Sequence, residues 1–319
     1  RIITAPPETT MEEAKQILHQ HRIEKLPLMT AQNKIVGLIT AKDIIKRQQH
    51  PNASKDQKGR LQVGASIGVK QSELDRAEAL VDAEVDVLVL DIAHGHSEHA
   101  IQILKDLRSR LGSEVRIIAG NVATAQGVLD LASAGANAIK IGVGSGSICI
   151  TRIVTGFGVP QLSAILECAH VAQQKGIPLI ADGGIRNSGD LSKALAAGAQ
   201  AVMIGSLLAG TTESPGKIIQ RKGRRYKIIR GMASLGATMN REDATEELEQ
   251  VVPEGVEAAV PYRGSVQEIL QQLVGGFRSS MSYAGASTLE EFQQYTEFVP
   301  ITSASLTESK PHDVEFLSS

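Results

Sequence analysis

Two stretches with the same grammar, LASAGANAIKIG (residues 131–142) and ALAAGAQAVMIG (residues 194–205), decide the fold. Each closes a helix on a glycine, Gly135 or Gly198, a residue type suited to the left-handed conformation that ends helices. Each then enters a short apolar run within two or three residues. Comparable runs occupy residues 62–68, 85–91, 116–120, 138–142, 178–182 and 201–205. They are nearly continuous in apolar character, the pattern of parallel strands covered on both faces. Repeated βα units of this kind predict an α/β protein, and a (β/α)₈ TIM barrel in preference to an open sheet. About six of the eight units are legible, so the missing pair is expected upstream of Arg1. The absence of an initiator Met likewise suggests a sequence that begins partway into a longer chain.

The first fifty residues follow a different pattern. Thr10 with Glu13 forms a capping box opening a helix, strands are expected at residues 26–29 and 35–39 around a turn at Gln32, Asn33 and Lys34, and Thr40 with Asp43 opens a second helix. This order resembles a CBS module, whose signature ends in a strand, a Thr and an Asp three residues later. CBS modules normally pair within one chain to bind adenine nucleotides, and one copy is present. Thr40 and Asp43 are equally accounted for as a plain helix cap. The expected division is a CBS module over residues 1–49 and a catalytic domain over residues 50–319, beginning with a polar linker at residues 50–59.

Composition narrows the function. Lys+Arg 33 against Asp+Glu 35 gives a net charge of -2, so no basic surplus points to nucleic acid or an anionic membrane. Hydrophobic residues make up 42% and aromatics 3%, with Trp absent, so the core must be aliphatic. The two cysteines, Cys149 and Cys168, cannot make a disulfide framework, and no apolar run approaches the ~18 residues of a spanning helix. A cytoplasmic protein with a small-molecule ligand is expected.

In a barrel the chemistry gathers at the carboxyl ends of the strands. The last two units end in ADGGIR (residues 181–186) and IGS (residues 204–206), whose glycines free backbone N–H groups for an anion at the place where such barrels bind phosphate. Gly183, Gly184 and Gly205 could instead merely make tight turns. Asp182 beside them could hold sugar hydroxyls. Cys149 follows a Gly/Ser loop at another strand end, where packing has no use for a thiol, and Arg152 nearby can favour the nucleophilic thiolate. Cys168, on a helix after Pro160, reads as a small buried hydrophobe. Asp91 leads into AHGHSEH; His94, His96 and His99 make weak evidence for zinc, and a polar ligand-contacting loop is the better reading.

GSGSICITR (144–152), VTGFGVPQLSAI (154–165), ADGGIRNSGD (181–190), AVMIGSLLAGTTESPG (201–216), RGMASLGA (230–237), VVPEGVEAAVPYRG (251–264) and ITSASLTESKPHDV (301–314) together resemble the inosine-5'-monophosphate dehydrogenase family. The resemblance implies a (β/α)₈ barrel with a pair of CBS modules inserted after its second unit, and oxidation of IMP to XMP with NAD. It implies that Cys149 attacks C2 of the purine and that water hydrolyses the adduct after hydride transfer. Ser147, Asp182, Gly183, Gly184, Gly205 and Ser206 would hold phosphate and ribose, with Met232 and Glu254 near the base. Asp91, Asn121, Gly142 and Gly144 would lie at the dinucleotide. Backbone carbonyls of Gly144, Gly146 and Cys149, joined by Glu308, Ser309 and Lys310 of a neighbouring subunit in a homotetramer, would form a K⁺ site.

Three departures stand out. Ser145 replaces the family's proline in the cysteine loop, and Ile229 its phosphate-contacting tyrosine. The flap within residues 232–262 is short and lacks the Arg-Tyr pair that activates water, Arg241 being followed by Glu242. Hydrolysis would then rest on Thr151 and Glu254. The missing pair keeps GMP reductase, which makes IMP from GMP with NADPH, as an alternative; against it stand the CBS remnant, VPEGVEAAVPYRG and SLTESKPHDV. A third reading is a non-catalytic nucleotide-binding relative or an inactive fragment.

Overall fold

The computed structural model describes residues 2–234, 237, 252–311 and 313–314, and the chain divides into two units, Arg1–Val63 and Gly64–Ser319. In the first, α1 (Met11–His21), β1 (Lys25–Met29), β2 (Ile35–Thr40) and α2 (Ala41–Gln49) follow in the expected order. Both expected caps form. The Glu13 N–H donates to the Thr10 hydroxyl (3.3 Å) while the Glu13 carboxylate accepts from the Thr10 N–H (2.8 Å), and Asp43 and Thr40 repeat the exchange at 3.2 and 2.9 Å. The Thr40 hydroxyl also donates to Asp43 and holds that carboxyl below its ordinary range. A small core of Ala5, Ala14, Leu18, Leu26, Ile39 and Ile44 closes the unit.

The stretch expected to be a linker belongs to this unit. Asp56 accepts from the Arg60 N–H and guanidinium, both at 2.8 Å, and Lys55 bridges Leu61, so a tight turn absorbs the polar residues. The compact unit runs to Val63 and so includes residues 50–59.

The second unit holds a parallel sheet with six strands among the described residues: β3 (Gly64–Ile67), β4 (Val87–Asp91), β5 (Ile117–Val122), β6 (Ala138–Ile141), β7 (Leu179–Asp182) and β8 (Ala201–Met203), hydrogen-bonded in chain order. Their order and parallel sense are those of a TIM-barrel wall. The connections are α3 (Ser72–Asp82), α4 (Glu98–Leu111), α5 (Ala125–Ser133), α6 (Thr151–Thr155), α7 (Gln161–Lys175) and α8 (Ser188–Ala196). Gly135 and Gly198 take φ of 109° and 112°, the left-handed turn that lets each helix end and the next strand start. The core is aliphatic, with Leu88, Leu104, Ile117, Ile139, Ile141 and Leu179 wholly buried, as a chain without Trp requires.

Beyond β8 the sequence pattern predicts no regular element. There the chain forms α9 (Ser206–Ala209), an antiparallel sheet of β9 (Ile218–Arg221), β10 (Arg224–Arg230) and β11 (Glu257–Pro261) with β10 central, then α10 (Val266–Ala284), α11 (Leu289–Tyr295) and α12 (Ser303–Glu308). Helix α10 packs on α8 at Gly276, where an added Cβ would come within 2.4 Å of the Ser188 Cβ. None of the described helices is long and apolar enough to cross a membrane.

Candidate active site

The carboxyl ends of β6, β7 and β8 open into a cleft of about 1430 Å³, lined by residues 145–148, 182–186, 203–206 and 228–230 and by Met232. The loop after β7 turns through Gly183 and Gly184, at φ 90° and 76°, and meets the cysteine loop face to face. An added Cβ on Gly183 would sit 2.4 Å from the Ser145 hydroxyl oxygen, so only glycine fits. Ser145, in the place of the family's proline, donates its hydroxyl to the Asp182 carbonyl (2.9 Å), and its own carbonyl accepts from the Gly184 N–H (3.1 Å). Two hydrogen bonds thus supply the stiffness that a ring would give. They also engage the Gly184 amide. The N–H groups of Gly183, Gly205 and Ser206 have no acceptor among the described residues and remain available to an anion. Ile229 lines the same cleft and brings no hydroxyl to it.

Cys149 is half-buried, and its thiol is not among the groups lining the cleft. It donates to the Thr151 hydroxyl (3.1 Å), which donates to the Glu254 carboxylate (2.7 Å). Two backbone bonds hold this chain in line: the Ile150 N–H to the Glu254 carbonyl (2.8 Å) and the Val256 N–H to the Ile148 carbonyl (3.0 Å). Residues a hundred positions apart become neighbouring strands of an antiparallel bridge, Cys149 opposite Gly255. The Arg152 guanidinium donates to the Val159 carbonyl (2.6 Å) and lies against Gly144 and Gly158. Cys168 is fully buried on α7, and burial pushes its thiol up to about 12, which keeps it protonated and inert.

Asp91 and Asp182 meet at Lys140, a residue that neither motif nor resemblance marks, and Asn121 joins them through Asp182. The Lys140 ammonium, 2% exposed, contacts Asp91 Oδ1 at 2.7 Å and Asp182 Oδ2 at 2.5 Å. The Asn121 amide donates to Asp182 Oδ2 (3.1 Å) and the Gly142 carbonyl (2.7 Å), leaving its own Oδ1 buried without a partner. Gly142 is a close-approach position, where an added Cβ would lie 2.1 Å from the Asp182 carbonyl. A signal for Lys140 did exist in the sequence: a charged residue inside the apolar run AIKIG belongs in a core only with partners.

Donor chemistry fits the expected ligands. Asp91 Oδ2 has no partner among the described residues on a carboxylate 43% exposed, suited to ribose hydroxyls of a dinucleotide. The carbonyls of Gly144, Cys149, Glu308, Ser309 and Lys310 accept no hydrogen bond there either, and hard oxygens of this kind suit K⁺; the Gly146 carbonyl takes the Cys149 N–H at 3.2 Å. His96 pairs with Asp130 at 2.7 Å, and no cluster of three metal-ligating side chains exists among the described residues. The flap positions Arg241 and Glu242 lie outside the described residues.

The family model of the IMP dehydrogenase / GMP reductase domain matches residues 8–312. The chain belongs to the IMP dehydrogenase / GMP reductase family. It is 53% identical to the inosine-5'-monophosphate dehydrogenase of Nitrosopumilus maritimus and 54% identical to that of Aquifex aeolicus, over 98% of this chain and 67% and 65% of those proteins. It is also 48% identical to the GMP reductase of Leishmania major, over 99% of this chain and 65% of that one. A crystal structure of a Trypanosoma brucei GMP reductase variant with guanosine 5'-monophosphate superposes with TM-score 0.90 at 47% identity, over 99% of this chain and 65% of that one. The chain thus spans about two thirds of the length of these relatives. One expectation is corrected: the N-terminal module and the C-terminal segments do not speak against a reductase, because reductase relatives match over 99% of this chain, those segments included.

Proposed function

We propose that this chain oxidises IMP to XMP with NAD, as a cytoplasmic homotetramer. The reading takes the six strands as part of a (β/α)₈ barrel, residues 1–49 as one CBS module, and the carbonyls of Gly144, Gly146, Cys149, Glu308, Ser309 and Lys310 as a K⁺ site. The observation that carries the activity is the run from thiol to hydroxyl to carboxylate, with 3.1 and 2.7 Å links beside the cleft. The phosphate accepts from the free amides of Gly183, Gly205 and Ser206, near Ser147, while Asp182 holds the ribose and Met232 lies by the base. Cys149 gives up its proton along Thr151 toward Glu254, and its sulfur bonds C2 of the purine. NAD, on the Asp91 side, supplies the hydride acceptor. Glu254 passes the thiol's proton to solvent, and the resulting cysteine-bound purine is then hydrolysed: Thr151 and Glu254 take a proton from the attacking water, the C2–S bond breaks, and that proton passes to the departing sulfur to restore the thiol. Splitting the oxidation in two lowers each barrier.

Reduction of GMP to IMP with NADPH is the second reading, favoured by the match to the guanosine-bound reductase and by the missing Arg-Tyr pair. The test is turnover by the full chain with IMP plus NAD and with GMP plus NADPH, followed by nicotinamide absorbance. The dehydrogenase reading predicts turnover of the first pair; turnover of the second alone overturns it.

A further inference from the structure

Lys140 is buried on β6, and Asp91, Gly120 and Asp182 beside it come from three other strands. Along the ladder Asp91 stands opposite Gly120, and Gly120 opposite Lys140. The missing side chain on β5 clears the path: an added Cβ at Gly120 would lie 2.7 Å from the Lys140 Cβ and 2.6 Å from its carbonyl oxygen. Lys140 can therefore cross β5 to Asp91 on β4 while also reaching Asp182 at the end of β7. It touches one oxygen of each carboxylate. Asp91 Oδ2 and Asp182 Oδ1 have no partner among the described residues. Two acceptors for ligand hydroxyls thus hang from a single buried cation.

Because both carboxylates touch one nitrogen, their contacting oxygens stand no more than about 5 Å apart, a separation at which like charges repel and a cation between them holds both in place. We propose that Lys140 is a positioning residue common to both ligand sites, keeping Asp91 turned toward the dinucleotide and Asp182 turned toward the mononucleotide ribose. The assignment of the two ligands rests on the function proposed above. The structural claim, that one ammonium pairs with two carboxylates at the ends of β4 and β7, does not.

The charge arithmetic supplies a test that a simple packing role would not pass. Lys140 with two aspartates carries one net negative charge. Lys140→Met alone leaves two facing negative charges, whereas Lys140→Met with Asp91→Asn returns the cluster to one. Dissociation constants for IMP and for NAD are measured by titration calorimetry on the full chain, together with melting temperatures. Lys140→Met is expected to weaken both ligands by about tenfold or more, the scale of a lost hydrogen bond to a charged group. Asp91→Asn alone is expected to weaken NAD and leave IMP within about threefold. Adding Asp91→Asn to Lys140→Met is expected to tighten IMP again and to raise the melting temperature above that of the single variant. If Lys140→Met does not fold, recovery of folding by the added Asp91→Asn is the supporting result. The proposal is overturned if Lys140→Met weakens one ligand only, or if the second substitution regains neither IMP affinity nor stability. Wild-type chain that binds neither nucleotide contradicts the proposed function instead, while the order of melting temperatures still decides the role of Lys140.

Discussion

Thr151 is the middle of a path in series, and replacing it makes a quantitative demand. Its hydroxyl accepts from the Cys149 thiol at 3.1 Å and donates to Glu254 at 2.7 Å, so Thr151→Val, similar in shape, puts a methyl where the proton must cross. Glu254→Gln keeps the shape at the far end but removes the base. A positioned proton acceptor contributes ~10²–10⁴-fold to a rate, about 2.7–5.5 kcal/mol of barrier. Each single variant is therefore expected to lose about a hundredfold or more in kcat. Links in series fail together, so the double variant should be no slower than the worse single one. Independent roles would multiply, to about 10⁴-fold or beyond. The assay is a stopped-flow trace with IMP and NAD, in which the early burst of reduced nicotinamide reports the hydride step and the steady state reports hydrolysis. Melting temperatures are read alongside, because the lost hydrogen bond costs ~1–3 kcal/mol of stability. A double variant slower than either single by a further hundredfold refutes the relay.

Cys149→Ala should abolish turnover and leave the IMP dissociation constant within about threefold, read by calorimetry, since phosphate and ribose groups are untouched and supply the binding. At neutral pH a thiol-alkylating reagent should label Cys149 and spare Cys168 in peptide mapping, because burial pushes the latter up to about 12. The same shift has a stability consequence. Between the ordinary 9.0 and about 12 the unfolded chain loses the Cys168 proton and the folded chain keeps it, so stability falls as pH rises through that window. Chemical denaturation at two alkaline pH values should show this slope, and Cys168→Ala should reduce it. Gly120→Ala should lower stability by about 1–3 kcal/mol in a melting series, because its Cβ would meet the Lys140 backbone at 2.6 Å. Thr40→Ala, which removes a capping box from the first unit, should cost ~1 kcal/mol by the same measurement.

The sequence revealed most where local chemistry leaves little choice. The glycine that closes each helix before a strand, Gly135 or Gly198, needs only its own φ, and the six strands follow at the expected places, shortened or extended by a residue or two. The caps at Thr10 and Thr40 are equally local. What escaped depends on residues far apart. The partners of Lys140 lie on other strands, and the strand register with the bare Gly120 between them brings Asp91 to it. The Cys149–Thr151–Glu254 alignment hangs on a backbone bridge across a hundred residues, which no local spacing reveals; the loop itself points to Cys149, and only resemblance points to Thr151 and Glu254. Nothing in the sequence around Ser145 announces its two hydrogen bonds, because they go to a loop about forty residues away. The antiparallel strands β9 to β11 alternate polar and apolar residues weakly, with Lys227 buried on backbone carbonyls in their midst, and the pattern hid them.

A structure of the full chain crystallised with IMP tests the central claim most directly. The account predicts the phosphate seated on the amides of Gly183, Gly205 and Ser206, and the Cys149 sulfur facing C2 of the purine at contact distance. A phosphate bound away from those turns, or a sulfur out of reach of the base, contradicts it.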